Sequence, residues 1–433
     1  MNNSNYIQIC PSKSDAERAI ICSYLTEVQN LNENKTLEEA YISADSRVSN
    51  EGISEDVLSI KECMKKILLY EFESRNNRIK ECGVLELNSG QSGANLRFLI
   101  PICAALGINV IIRYEGRHRS ILPLKEELRK KGIEIEELDD KVKVSGKLLG
   151  GTFEIPGDIS SQFISGLMLS LPLTDEGGKI IVKGRLESLG YVNMTVASLR
   201  KSNIDIIESR SEFEIRGRQR YQAPSHYTVE GDWSNAAVWI ALNLILSIHE
   251  GKNGEFKKDV LLKHPIEIKG LDYNSIQPDK DILNILMRFI DVDINGNLDL
   301  KGDNVIDASN NPDLVPVIAA IAGITKGTTL ITNASRLRIK ESNRIETICD
   351  VLFNLGIDIE ETSDGLIIYG IKKLRGAKIR SYDDHRIVMM AALMSQSCPS
   401  TVVIENSQAI NKSYPEFENE LRKFNLDTNI EWR

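Results

Sequence analysis

Hydrophobic and polar positions along the chain switch between helical and strand periodicity in a fixed order. Leu128-Arg-Lys-Lys-Gly-Ile-Glu-Ile-Glu, Leu199-Arg-Lys-Ser-Asn-Ile-Asp-Ile-Ile and Leu352-Phe-Asn-Leu-Gly-Ile-Asp-Ile-Glu each predict a helix closed by Gly or Asn, then an alternating strand. In each, a second short strand ends on a glycine (Gly146, Gly217 or Gly370), thirteen residues after the first isoleucine of the preceding strand. A looser fourth copy runs from Asp291 to Gly302. Three copies with equal spacing and equal order predict an internal repeat.

Each copy leads into a polar cluster and then an apolar helix. Asp158-Ile-Ser-Ser-Gln precedes 163–173, Asp232-Trp-Ser-Asn precedes 236–248, Pro312-Asp313 precedes 314–324, and Asp383-Asp384-His-Arg precedes 387–394. Pro11-Ser-Lys-Ser-Asp and Ser89-Gly-Gln-Ser-Gly-Ala-Asn begin two more, giving six buried helices that each open with Ser, Asp, Asn or Gly at the cap. Amphipathic helices are expected over 54–69, 122–131, 192–201, 279–290, 340–355 and 414–424. The fold class is therefore α/β, with six units of roughly 70 residues closing around the apolar helices, three per globule. A solenoid would show a shorter and more uniform period. The expected domains are 11–228 and 1–10 with 229–433, and 31–53 and 250–264 read as polar surface insertions.

Charge narrows the function. Among 433 residues, 53 Lys and Arg face 62 Asp and Glu, a net charge of −9, which argues against a dedicated nucleic-acid binder but leaves room for local cations that hold small anions. With 42% hydrophobic and 27% charged residues the composition is that of a folded globular chain. Its apolar runs are short and broken, by Asn243 or by Pro101, Gly107 and Asn109, so no membrane span is expected. The first residues carry no secretory signal, and the first motif begins too early to leave space for a transit peptide. Seven scattered cysteines without a Cys-x-x-Cys pair fit a reducing cytoplasm and call for no metal or other cofactor.

The helix starts supply the candidate chemistry, because a helix N-terminus offers free N–H groups and a partial positive charge to anions. Lys13 and Arg18 lie at the first, Arg97 at the second, Ser160, Ser161 and Gln162 at the third, and His385 and Arg386 at the sixth. Any one of these alone reads as a cap or a solvated charge. Four cations set against the helix dipole need a reason, and an anionic ligand supplies one. Arg119 lies in Gly116-Arg-His-Arg-Ser, while Lys340 and Arg344 are expected to share one helix face. Glu341 can be a first-turn acid and Asp313 a cap; alternatively the two are an acid–base pair among cations.

Pro11-Ser-Lys-Ser-Asp-Ala-Glu-Arg-Ala, Gly90-Gln-Ser-Gly-Ala-Asn-Leu-Arg, Ser160-Ser-Gln-Phe, Val229-Glu-Gly-Asp, Arg338-Ile-Lys-Glu-Ser-Asn-Arg and Asp384-His-Arg, in that order from about Gln8 to Phe424, resemble the 5-enolpyruvylshikimate-3-phosphate synthases, members of the enolpyruvyl transferase family. The resemblance implies a two-domain inside-out α/β barrel of six βαβαββ units. It implies transfer of the enolpyruvyl group of phosphoenolpyruvate to the 5-hydroxyl of shikimate 3-phosphate with release of phosphate, without cofactor or metal, in a cytoplasmic monomer whose partners are its two substrates. By position, Lys13, Ser14 and Arg18 would meet both substrates. Ser160, Ser161, Gln162, Ser188, Tyr191, Asp313 and Lys340 would meet shikimate 3-phosphate. Gly93, Arg97, Arg119, Gln162, Lys340, Arg344, Arg386 and Lys412 would hold phosphoenolpyruvate. Asp313 and Glu341 would manage protons, with Lys13 and His385 also in catalytic positions, and the two domains would close over the substrates.

Some positions depart from the family pattern. Gln91 stands where an acid or Asn is common, Ala94 where Thr is, Ser120 where Pro follows the arginine, and Arg336 where Asn or Glu is typical. Gly93 leaves room for phosphoenolpyruvate and for the inhibitor glyphosate, while Ala94 removes a neighbouring hydroxyl. Transfer to UDP-N-acetylglucosamine is the enzymatic alternative, although no Cys lies between Cys103 and Cys349 to act as its loop acid. RNA 3′-phosphate cyclase shares a related repeat, but no basic surface or histidine motif of that kind is evident. A shikimate-3-phosphate-binding relative without turnover is the alternative from another class, and it would not need the acids.

Overall fold

The computed structural model describes residues 5–32, 35–76, 83–117, 119–249, 257–292, 298–371 and 373–433. The chain divides into two units, Pro11–Val229 and Met1–Cys10 with Glu230–Arg433. The first holds helices α1 (Lys13–Asn30), α2 (Leu37–Arg47), α3 (Glu55–Arg75), α4 (Gly93–Leu106), α5 (Leu122–Arg129), α6 (Ser161–Ser170) and α7 (Leu189–Lys201). The second holds α8 (Trp233–His249), α9 (Lys258–Lys263), α10 (Ile282–Met287), α11 (Val315–Ile324), α12 (Arg344–Asn354), α13 (His385–Ser395) and α14 (Phe417–Lys423).

Three four-stranded sheets share one design. In the first, Leu85–Asn88 pairs in parallel with Val110–Arg113, which pairs antiparallel with Lys141–Ser145, and Glu134–Glu137 closes the edge. Gly150–Pro156, Gly177–Lys183, Glu212–Arg216 and Ile206–Ser209 repeat that order in the same unit. Asn304–Asp307, Gly327–Thr332, Leu366–Gly370 and Asp358–Glu361 repeat it in the other. Parallel neighbours need a crossover, and in each case an apolar helix supplies it (α4, α6 or α11); an amphipathic helix (α5, α7 or α12) then feeds the antiparallel hairpin. Two of the three glycines that close the hairpins have no space for a side chain, while Gly146 has a positive φ of 104°. A Cβ at Gly370 would lie 1.7 Å from the Thr325 carbonyl oxygen, and one at Gly217 would lie 2.4 Å from the Gly177 nitrogen.

The remaining pairings are shorter. Tyr6–Gln8 runs parallel to Glu267–Lys269, Val48–Ser49 parallel to Tyr227–Thr228, and Lys378–Arg380, Val402–Glu405 and Ile430–Trp432 form a parallel sheet. Ile290–Val292 and Leu298–Leu300 pair antiparallel where the fourth repeat copy is expected, and 293–297 of that copy lie outside the described residues. Each unit has its own core, built around α4 and α6 in one and around α8, α11 and α13 in the other. Helices that are apolar on every side have no solvent face to offer, so they sit inside.

Several expected elements differ. Residues 31–53 are not a plain surface insertion: α2 lies there, with Thr36 and Glu39 forming a reciprocal capping box, and Ala40 and Ala44 are buried. The buried Glu27 carboxylate receives Lys35 and Arg47 from this segment. Of 250–264, residues 250–256 lie outside the described residues, and α9 occupies 258–263 with Leu261 and Leu262 buried. The helix expected over 279–290 is a 3-10 turn, Pro278–Asp281, followed by the short α10. No polar residue caps α11, because the 3-10 turn Pro312–Leu314 precedes it. The helix expected over 340–355 starts at Arg344; Ser335–Ile339 is a 3-10 turn and Lys340 is extended, so Lys340 and Arg344 do not share a helix face and Glu341 is not a first-turn acid.

Candidate functional site

The expected residues fall into one cluster in each unit. In Pro11–Val229, Ser12 sits at the start of α1, and Lys13, the first helical residue, reaches Asp56 Oδ2 on α3 at 2.8 Å. Ser14 offers its carbonyl to Arg18 Nη1 at 2.5 Å. Arg18 also donates from Nε to Thr195 Oγ1 at 2.8 Å and from Nη2 to the Tyr191 carbonyl at 3.2 Å, both on α7. Ser188, at a left-handed φ of 53°, opens that helix. The Arg18 guanidinium therefore joins the Pro11–Arg18 motif to the Tyr191–Thr195 part of α7.

A second arginine joins two further motifs. Arg97 donates to Gln162 Oε1 at 2.6 Å and to the Ser120 carbonyl at 2.9 Å, with its guanidinium over the Phe163 ring. Ser160 caps α6 by accepting the Gln162 amide at 3.3 Å, and Ser161 is buried beside it. Gly93 lies where Arg97 and Arg119 approach each other: a Cβ there would sit 3.2 Å from Arg119 Cγ and 3.5 Å from Arg97 Nη1. Ser92 caps α4, so the glycine opens that helix. The departure at Ser120 is mild because its carbonyl, which any residue supplies, is what Arg97 uses.

In the other unit Arg344 is the organising group. Its guanidinium is buried, with Nη1 on Asp313 Oδ1 at 2.5 Å, Nη2 on Glu341 Oε2 at 2.6 Å and Nε on Asp384 Oδ2 at 2.8 Å. Nη2 also donates to Asp384 Oδ1 at 3.2 Å, so four of its five N–H groups are engaged. Lys340 Nζ stands 3.4 Å from the same Asp313 oxygen. Burial pushes the Asp313 carboxyl up, but Lys340, Arg344 and Arg386 together hold it well below the usual carboxylate range. Burial lowers Lys340, with Asp313 opposing that shift. For Arg344, the three carboxylates outweigh burial and leave it firmly cationic.

Asp384 serves two functions. It caps α13 by accepting the Arg386 amide at 3.0 Å, and it holds Arg344 and the Ser342 hydroxyl, the latter at 3.0 Å. His385 follows it, buried at the first position of α13. Arg386 Nη1 donates to the Ser234 carbonyl at 2.9 Å and to Asn235 Oδ1 at 3.2 Å, and its Nε has no hydrogen-bond partner among the described residues. Lys412 reaches the Asp383 carbonyl. Arg336 is buried and donates to the Ala308 and Ser309 carbonyls, which makes it a tie for its 3-10 turn.

Of the candidate site residues that are Lys or Arg, Lys13, Arg344 and Arg386 occupy a first helical turn; Arg97 and Arg18 fall in the second because α4 opens at Gly93 and α1 at Lys13. Sequence reasoning missed Asp56, Glu17, Thr195, Asn235 and the clamp role of Asp384. Asp56 and Thr195 carry no local signal, because their partners are 43 and 177 residues away. Glu17 did carry one: an acid four residues after Lys13, on the same face of an expected helix.

Such clusters, positioned by a repeated βαβαββ design in two units, are chemically suited to small anionic ligands. A family model described as EPSP synthase (3-phosphoshikimate 1-carboxyvinyltransferase) matches residues 3–421. A Clostridium acetobutylicum protein named 3-phosphoshikimate 1-carboxyvinyltransferase is 36% identical over 98% of this chain and 96% of its own length. One of the same name from Brachyspira hyodysenteriae is 34% identical over 97% and 95%. The chain belongs to the EPSP synthase family. Among solved structures, EPSP synthase from Acinetobacter baumannii superposes with a TM-score of 0.66 at 19% identity, covering 96% of this chain and 95% of that one. The enolpyruvyl transferase NikO from Streptomyces tendae superposes with a TM-score of 0.64 at 15% identity, covering 97% and 94%. These two likenesses bear on the fold. Among the described residues no helix is long and apolar enough to cross a membrane.

Proposed function

We propose that the chain transfers the enolpyruvyl group of phosphoenolpyruvate to the 5-hydroxyl of shikimate 3-phosphate and releases phosphate, on an inside-out barrel of six units, three per domain. The observation that carries this reading is the pair of carboxylates on one buried guanidinium: Asp313 and Glu341 lie 2.5 and 2.6 Å from Arg344, which fixes an acid–base pair beside Lys340. Membership of the family supports the substrates.

Two substrates with several negative charges repel each other unless cations screen them at short range. Lys13, Ser14, Arg18, Ser160, Ser161, Gln162, Ser188 and Tyr191 hold shikimate 3-phosphate. Lys13, Gly93, Arg97, Arg119, Gln162, Lys340, Arg386 and Lys412 hold phosphoenolpyruvate, with Arg344 contributing its remaining N–H. Asp313 stays ionised and accepts the proton of the 5-hydroxyl, with Lys340 beside it. Glu341 delivers a proton to the methylene carbon, and its anion then faces the oxocarbenium character on the adjacent carbon. Addition gives a tetrahedral ketal phosphate. The Glu341 carboxylate then takes back a methyl proton as the C–O bond to phosphate breaks, and the departing phosphate takes the proton held by Asp313. The double bond is restored, with His385 and Lys13 completing the polar surroundings of that step.

The enzyme acts as a cytoplasmic monomer on this reading. Phosphate release by the purified chain with both substrates tests it. Release with UDP-N-acetylglucosamine but not with shikimate 3-phosphate would move the chain to another branch of the family, and binding without release would leave a non-catalytic relative.

A further inference from the structure

Glu17 takes part in none of these steps, yet it shares a helix with Lys13, one of the residues proposed to bind the substrate anions. Helix α1 places it four residues after Lys13, on the same face. Its residue is 1% exposed, and Oε1 has no hydrogen-bond partner among the described residues. The Ser92 hydroxyl, at the cap of α4, favours the ionised form of the carboxyl. The charged groups facing it are Lys13 and Arg18 on its own helix and Asp56 on α3; from α7, Thr195 and the Tyr191 carbonyl engage Arg18 instead. Lys13 thus has Asp56 as its ion-pair partner, at 2.8 Å, and a second, buried carboxyl one turn further along its own helix.

We propose that Glu17 is a positioning residue that couples anion binding at Lys13 to proton uptake: the carboxyl takes one proton from solvent as an anionic substrate group arrives. The inference rests on Lys13 being a substrate-anion site. A buried carboxylate with an open oxygen competes with the incoming anion for the same ammonium, whereas the neutral acid does not. Burial, reinforced by Asp56 and opposed by Lys13 and Arg18, pushes the Glu17 carboxyl up to about 7, so near neutrality the two forms are comparably populated. An anion on Lys13 adds like charge and weakens the ammonium's pull on Glu17, so binding raises the proton affinity further. By linkage, anion affinity then falls as pH rises above about 7, by at most about tenfold per pH unit.

Calorimetric titration of the full chain at pH 7.5, in buffers of unlike ionisation heat, tests this with sulfate and with shikimate 3-phosphate. Sulfate carries no titrating proton in this range, so its pH dependence belongs to the protein. The expected result is a larger proton uptake by wild type than by Glu17→Gln, and a loss of sulfate affinity from pH 6.5 to 8.5 that Glu17→Gln flattens and Glu17→Asp restores. Equal uptake and parallel profiles in wild type and Glu17→Gln would overturn the inference, as would failure of both anions to bind. Coupling seen with sulfate alone would sustain it while refuting the substrate assignment. Carboxyl 13C NMR of wild type provides a check that needs no variant. Glu420, in the other unit, is also raised to about 7 and serves as a reference. A Glu17 titration midpoint that sulfate does not move upward would sink the proposal.

Discussion

In the Pro11–Val229 unit, Arg18 and Arg97 rest on a hydroxyl, a side-chain amide and carbonyl oxygens, whereas in the other unit Arg344 rests on three carboxylates. Neutral acceptors orient a guanidinium without cancelling its charge, although Lys13 in the same unit is paired with Asp56. Three carboxylates do the opposite: they spend the charge of Arg344 on holding acids in place. The first arrangement suits binding and the second suits proton transfer. A single inventory of conserved-looking cations would have missed the distinction, which lies in the partners.

Removing the clamp should have the largest effect. Asp384→Ala leaves the buried Arg344 short of its closest Nε partner and uncaps α13, which should cost about 3–5 kcal/mol in denaturant unfolding. A loss under about 1 kcal/mol, on the scale of an exposed ion pair, would mean the centre is not a tightly coupled unit. Next, Glu341→Gln and Lys13→Met should each lower kcat by about 100-fold or more in phosphate release; near-normal turnover in folded variants would remove them from catalysis. Arg97→Gln should instead show itself mainly as a KM for phosphoenolpyruvate raised by about 10- to 100-fold, the scale of a lost charge-assisted contact, and should steepen with salt less than wild type does. A kcat effect larger than the KM effect there would erase the contrast between the clusters. The smallest change is Thr36→Ala in the α2 capping box, which should cost about 1 kcal/mol in stability and leave turnover untouched.

The hairpin repeat was legible because its cause is local. The spacing from isoleucine to glycine reflects a fixed strand length, and Gly217 and Gly370 lie where backbones come too close for any Cβ. The starts of α4, α6 and α13 were legible for a similar reason, since a cap and the amide it accepts are neighbours in sequence. The start of α12 was not. Periodicity over 340–355 looks continuous, but Lys340 to Asn343 leave the helix so that Glu341 and Lys340 can reach Arg344 and Asp313. Tertiary ion pairing there overrides the local pattern. The α2 segment was missed because its buried face is two alanines, too weak a signal in a polar stretch. Asp56 and Thr195 illustrate the limit: each matters only through a partner brought close by the finished fold.

One unit is uninterrupted, while the other needs its first strand, Tyr6–Gln8, to pair with Glu267–Lys269. During synthesis at about 5–20 residues per second, that strand waits on the order of ten to fifty seconds for its partner to be made. The intervening unit can fold on the ribosome in that interval. Assembly is therefore vectorial, and Tyr6–Gln8 must be kept from wrong pairings until Glu267–Lys269 has been made.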